Sequence, residues 1–130
     1  MIKTLILFFV AGGFSLLTAS VLPIYSQSST TLTYPLLEGW NLVHFPLTPD
    51  RFATAGELVK AIAQDGGYVT TVATWHNGAW QEYVQRGSDV YSPDFPIEPG
   101  KAYFLRSHRE LNWQVTGIPL LKSPTLKLNP

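Results

Sequence analysis

Apolar and polar positions along the chain sort into short segments of differing period. Residues 68–85, Y-V-T-T-V-A-T-W-H-N-G-A-W-Q-E-Y-V-Q, carry β-branched and aromatic residues on both sides of Asn77-Gly78, the composition of a pleated surface. Asn-Gly accepts positive φ at both central positions of a type I′ turn, so the segment is predicted to be a hairpin with a two-residue turn. That register sets His76 opposite Ala79, Trp75 opposite Trp80 and Val72 opposite Tyr83. It puts the tryptophan pair at a non-hydrogen-bonded position, where side chains approach most closely. A three-residue turn with a bulge at Gly78 is the alternative, and would slip the pairing.

The flanking patterns supply the remaining elements. Gly39-Trp40-Asn41-Leu42-Val43-His44-Phe45-Pro46-Leu47 is a turn and then a strand apolar on both faces, as a buried strand is, with Pro46 at its end or on an edge. Thr54-Ala55-Gly56-Glu57 is a capping box. It opens a helix over 55–65 whose stripe is Leu58, Val59 and Ile62, with Lys60 and Gln64 toward water; Gly66-Gly67 closes it. Residues 86–99 hold three closely spaced prolines and read as an irregular loop with Phe95 and Ile97 turned inward. Pro99-Gly100 suits a type II turn leading into a strand at Lys101–Arg106. Leu111, Trp113 and Val115 alternate along a last strand, toward the core. Trp40 is assigned to the core as well.

The N-terminus has a different character. Met1-Ile2-Lys3 precedes the apolar run L-I-L-F-F-V-A-G-G-F-S-L-L, then the small residues Thr18, Ala19 and Ser20, the form of a secretory signal peptide. An uncleaved anchor is the rival, since Leu5 to Leu22 is just long enough to span a bilayer. Either places the remainder outside the cytoplasm: secreted, periplasmic or at the cell surface. The expected organisation is a signal peptide or anchor at 1–26, a flexible linker at 27–36, a β-rich domain at 37–121, and a tail or short edge strand at 122–130. The fold class is mainly β (α+β): a compact antiparallel β sandwich or partly open barrel with one short helix.

Composition narrows the chemistry. In 130 residues, nine basic and nine acidic side chains balance, and from Glu38 to Leu120 six basic residues face nine acidic ones, a net charge of −3. This argues against nucleic acid and anionic lipid. A membrane is reached only through an uncleaved N-terminal segment. With no cysteine there is no disulfide or thiolate zinc site. His44, His76 and His108 lie on three elements without metal-ligand spacing and read as ordinary hydrogen-bonding residues. Asp89, Asp94 and Glu98 match no calcium loop and read as a solvated loop. No cofactor is indicated. Carboxylates of 86–98 could in principle serve a small secreted hydrolase, but no nucleophile elbow or acid–base constellation is present, so the chain reads as no enzyme.

The aromatics remain. Trp75 and Trp80 either roof the core or form a flat outer platform with Tyr83 or Tyr91 nearby, His76 and Asn77 being exposed at the hairpin tip. In the second case the partner is a polysaccharide or a cell-surface protein.

Four phrases in order, G-W-N-L-V-x-F-P at 39–46, the capped helix, W-H-N-G-A-W at 75–80, and F-P-I-E-P-G-K-A-Y-F at 95–104 with W-Q-V-T-G at 113–117, resemble a small β-rich domain of secreted and surface proteins of bacteria and archaea. That domain carries G-W-N-L near its start, a tryptophan-bearing hairpin and P-G-x-G-Y-F or P-G-x-G-Y-W before its last strands. The resemblance spans residues 37–117. Ala102 departs from it, standing where the pattern has glycine, so ordinary β angles are expected there. The resemblance implies an extracellular module, often appended to larger surface proteins, and carries over no catalytic residue. The chain is therefore read as a non-catalytic secreted or cell-envelope accessory module, binding or structural, with glycan binding its sharper form.

Overall fold

The computed structural model describes residues 27–121. The segment read as a signal peptide and the tail at 122–130 lie outside the described residues. Eight strands and one helix follow in order: β1 Thr30–Leu36, β2 Gly39–His44, β3 Leu47–Pro49, α1 Ala55–Gln64, β4 Val69–His76, β5 Ala79–Arg86, β6 Asp89–Val90, β7 Ala102–Ser107 and β8 Leu111–Pro119. They form two antiparallel sheets, a three-stranded one in the order β1-β8-β3 and a five-stranded one in the order β2-β7-β4-β5-β6. This is a β sandwich with one short helix, and not a closed barrel.

Two expectations are corrected. The stretch 27–36, read as a linker from its serine and threonine content, is strand from Thr30 onward and pairs with β8 from Thr30↔Gly117 to Leu36↔Leu111. Threonine is a strand former when a partner edge exists, and its alternation with Leu32, Tyr34 and Leu36 turns those three toward the core. Residues 39–47 are not a buried strand either: β2 is an edge strand of the larger sheet. Val43 and Phe45 point inward while Trp40 and Leu42 face solvent.

The hairpin forms with the two-residue turn. Asn77 has φ 50° and Gly78 φ 80°, and the pairs are Val72↔Tyr83, Trp75↔Trp80 and His76↔Ala79. On its other side β4 meets β7 with a register shift, Val69 pairing with Ser107 and Thr71 with Arg106. Thr70 is the extra residue of this bulge. Its hydroxyl bonds His108 Nε2 at 2.8 Å, and the shift lets both Val69 and Val72 enter the core.

The helix is fixed at both ends. The N–H groups of Ala55, Gly56 and Glu57 donate to Phe95 O (2.9 Å), Asp94 Oδ1 (2.8 Å) and Thr54 Oγ1 (3.2 Å), so three of the donors a helix start leaves open are satisfied. Glu57 closes the box one residue further out than expected, accepting from Ala53 N–H at 2.7 Å. Gly66, at φ 96°, donates to Ala63 O and Gly67 to Ile62 O, a Schellman ending. Leu58, Val59 and Ile62 are buried against the inner face of the larger sheet. The 86–99 loop is irregular past β6, and Phe95 and Ile97 are buried beside the helix start.

At the centre Phe45 touches Tyr34, Phe52, Tyr103 and Trp113 with ring centroids 5.4–6.3 Å apart. Trp113 is in the core, as its alternation required, and its Nε1–H donates to Asp65 Oδ2 at 3.1 Å. This inner core is complete without the hairpin tryptophans.

Candidate functional site

Helix and small sheet both pack on the inner face of the five-stranded sheet, and among the described residues none covers the outer face. Strand alternation then decides which side chains stand there. From β2 come Trp40 and Leu42, from β7 Phe104 and Arg106, from β4 Thr71, Ala73 and Trp75, and from β5 Trp80, Glu82 and Val84. Register aligns them in rows: Leu42–Phe104–Ala73–Glu82, and beside it Trp40–Arg106–Thr71–Val84.

Trp75, Trp80 and Trp40 are 57%, 56% and 54% exposed. The hairpin pair is therefore on the surface. Trp40 is corrected from core to surface, because none of the described residues packs over the face it occupies. Nor is the pair a flat platform: the Trp75 and Trp80 rings meet edge to face, 5.3 Å apart at 82°. Trp80 in turn meets Phe104 at 5.8 Å and 67°. Edge-to-face contact is the favoured arrangement for two indoles side by side on a pleat.

Between the rings lies a hollow of about 330 Å³, lined by Trp40, Ala73, Trp80, Glu82 and Phe104. Ala73 makes it possible, since any larger side chain in the middle of the sheet would fill the floor. Trp40 and Trp80 stand on a diagonal of the sheet, three strands and four residues of register apart, and wall the hollow from opposite corners. A second groove of about 420 Å³ continues from it, sharing Trp40 and Glu82 and adding Thr71, Arg86, Arg106 and His108.

The other sequence candidates fall elsewhere. Tyr83 is 5% exposed and lies on the inner face, three residues and therefore one pleat reversal from Trp80, with its hydroxyl donating to Gln85 Oε1 at 2.7 Å. Burial, and then the nearby Asp94 carboxylate, push its pKa above the usual phenol value. His76 also alternates away from Trp75, with its ring nitrogens 3.1 Å from Lys101 Nζ and from Asn77 Nδ2; Asn77 serves the turn. Tyr91 is exposed beyond the sheet edge and touches the grooves only by carrying the Arg86 guanidinium 5.9 Å from its ring centroid. Sequence reasoning missed Trp40, Phe104 and Arg106 as surface residues. Period two along each strand, once anchored on Val43 and Tyr103, selects all three.

A larger hollow of about 570 Å³ lies on the opposite side, between α1 and β4–β6. Its polar lining serves the fold, for Asp94 Oδ1 accepts from both Gly56 and Phe95 N–H. Of the other loop carboxylates, Glu98 stands 3.4 Å from Lys101 and Asp89 is exposed on β6. Among the described residues no three His, Asp or Glu side chains converge on one point, and no helix is long and apolar enough to cross a membrane.

Comparison of the chain with protein-family models, with curated proteins and with solved structures found no match to any of them.

Proposed function

We propose that the protein is a non-catalytic, exported accessory module that binds a glycan on the outer face of its five-stranded sheet. The observation that carries this reading is the gathering of Trp40, Leu42, Trp75, Trp80 and Phe104, all substantially exposed, on one face of a domain whose core is already filled by other aromatics. Contiguous apolar surface of this kind is costly to leave in water and marks a contact site. Its form favours a sugar. The rings wall a narrow hollow large enough for a small ligand, and Glu82 beside them offers a carboxylate to hydroxyl groups. The leader-like residues 1–26, and the resemblance of 37–117 to extracellular modules, support export to the envelope or beyond.

The test is titration of the full chain with a panel of neutral and acidic polysaccharides while following tryptophan fluorescence. The expected result is a saturable response that Trp80→Ala abolishes, with the unfolding free energy kept within about 1 kcal/mol of the parent, as for a half-exposed side chain. Ala73→Leu, which fills the hollow and removes no indole, is expected to abolish it too. A response surviving both substitutions, or a Trp80→Ala protein destabilised by about 3–5 kcal/mol like a core deletion, overturns the reading.

A further inference from the structure

We infer that the glycan is acidic, a polymer bearing well-spaced hexuronate carboxylates, and that Arg106, with Arg86 further along, receives the carboxylate. This rests on the glycan reading of the same face.

The argument begins with the disposition of basic residues in a body of net charge −3. Arg51 pairs with Asp65 at 2.8 Å, Lys101 stands 3.4 Å from Glu98, Arg109 donates to Gly66 O, and Lys60 lies on the helix. Arg86 and Arg106 remain. Among the described residues neither has an acidic partner within ion-pair distance, and both line the groove that continues from the tryptophan-walled hollow. Each is held instead by a ring: Arg106 lies 5.8 Å from the Trp40 centroid, Arg86 5.9 Å from that of Tyr91.

A guanidinium held against an aromatic face is positioned without consuming its N–H groups. The five donors lie in its plane and stay free for a ligand, and their fork geometry matches a carboxylate bidentately. Register gives the order along the site. Arg106 on β7 is opposite Thr71, and Thr71 is opposite Val84 on β5; Arg86 follows two residues on. A sugar between Trp40 and Trp80 therefore has Arg106 beside it, with Trp40 touching both parts.

Glu82 restricts the ligand further, for it lines both the hollow and the groove. A densely charged chain, such as a heavily sulfated glycan or a nucleic acid, would bring an anion against this carboxylate. A hexuronate chain, with at most one carboxylate per sugar and hydroxyl groups between them, instead lets Glu82 accept from an O–H while the arginines take the charge.

The experiment titrates the full chain with hexasaccharides of matched length: hyaluronan, alginate and oligogalacturonate as hexuronates, chitohexaose and cellohexaose as neutral chains, and heparin as the densely sulfated case. At least one hexuronate is expected to bind about tenfold more tightly than either neutral chain. Arg106→Gln should remove about tenfold in affinity for it, the loss of one charge-assisted contact. Arg86→Gln should remove less, and Lys60→Gln, the same charge change on the helix, should remove none. Neutral chains binding as well as hexuronates, with Arg106→Gln silent, would overturn the acidic assignment and leave the aromatic glycan site standing. Heparin binding most tightly, or Lys60→Gln weakening binding as much as Arg106→Gln, would also overturn it. Absence of any saturable binding would remove both proposals.

Discussion

Trp113→Ala is expected to lower the unfolding free energy by about 3–5 kcal/mol, the range for deleting a fully buried large aromatic. Trp113 is 1% exposed and packs on Phe52 at 5.6 Å, Tyr34 at 6.1 Å and Phe45 at 6.2 Å. These rings come from β1, from the β2–β3 connection and from the approach to α1, so no single element can move in to fill the space. The indole N–H is also the link from β8 to Asp65 at the helix end, a carboxylate that Arg51 holds from the other side. Single domains have a total stability of about 5–15 kcal/mol, so this substitution brings the protein close to unfolding. Urea denaturation followed by far-ultraviolet circular dichroism measures it. A loss below about 1 kcal/mol would mean that the two sheets do not meet at this ring.

The second large effect is expected from one methyl group. At Gly117 a β-carbon would stand 2.1 Å from Thr48 O, 2.8 Å from Thr48 C and 2.9 Å from Pro49 Cα. All three are backbone atoms, which cannot rotate aside. Gly117→Ala must therefore separate β8 from β3, where Thr48 pairs with Ile118 and Asp50 N–H donates to Thr116 O at 2.9 Å. Overfilling a packed site costs about 1–3 kcal/mol or more, and broken pairing adds to it. A cost of 2 kcal/mol corresponds to a fall in Tm of roughly 8–16 °C for a domain of this size. An unchanged melting curve would contradict so close an approach of the two strands.

Much of the framework was legible because its signals are local. Asn77-Gly78 names its own turn, Thr54 and Glu57 bracket the helix start, and Leu111, Trp113 and Val115 alternate without interruption. The failures share a physical cause: each depended on what covers a face, which no local pattern states. Trp40 and Leu42 look like core residues beside Val43 and Phe45 until one side of the sheet is seen to be uncovered by any described residue. Thr30–Leu36 looked like a spacer because its partner strand lies more than seventy positions away (Thr30 opposite Gly117). Tyr83 is different, for its three-residue separation from Trp80 already put it on the far side of a strand. As for the candidate site, Trp75 and Trp80 were identifiable as a pair. The same alternation puts Ala73 on their face, but its part as the floor of the hollow shows only when large residues surround it.

The pairing of β1 with β8 has a practical consequence for handling the protein. Where the described residues enter at 27 and leave at 121, the backbone passes through the same corner of the smaller sheet, the layer turned away from the tryptophans. A tag or a bead joined at either exit would therefore engage the same corner of the domain. An array immobilised through either exit would thus hold every copy by that one corner, whichever end carries the attachment.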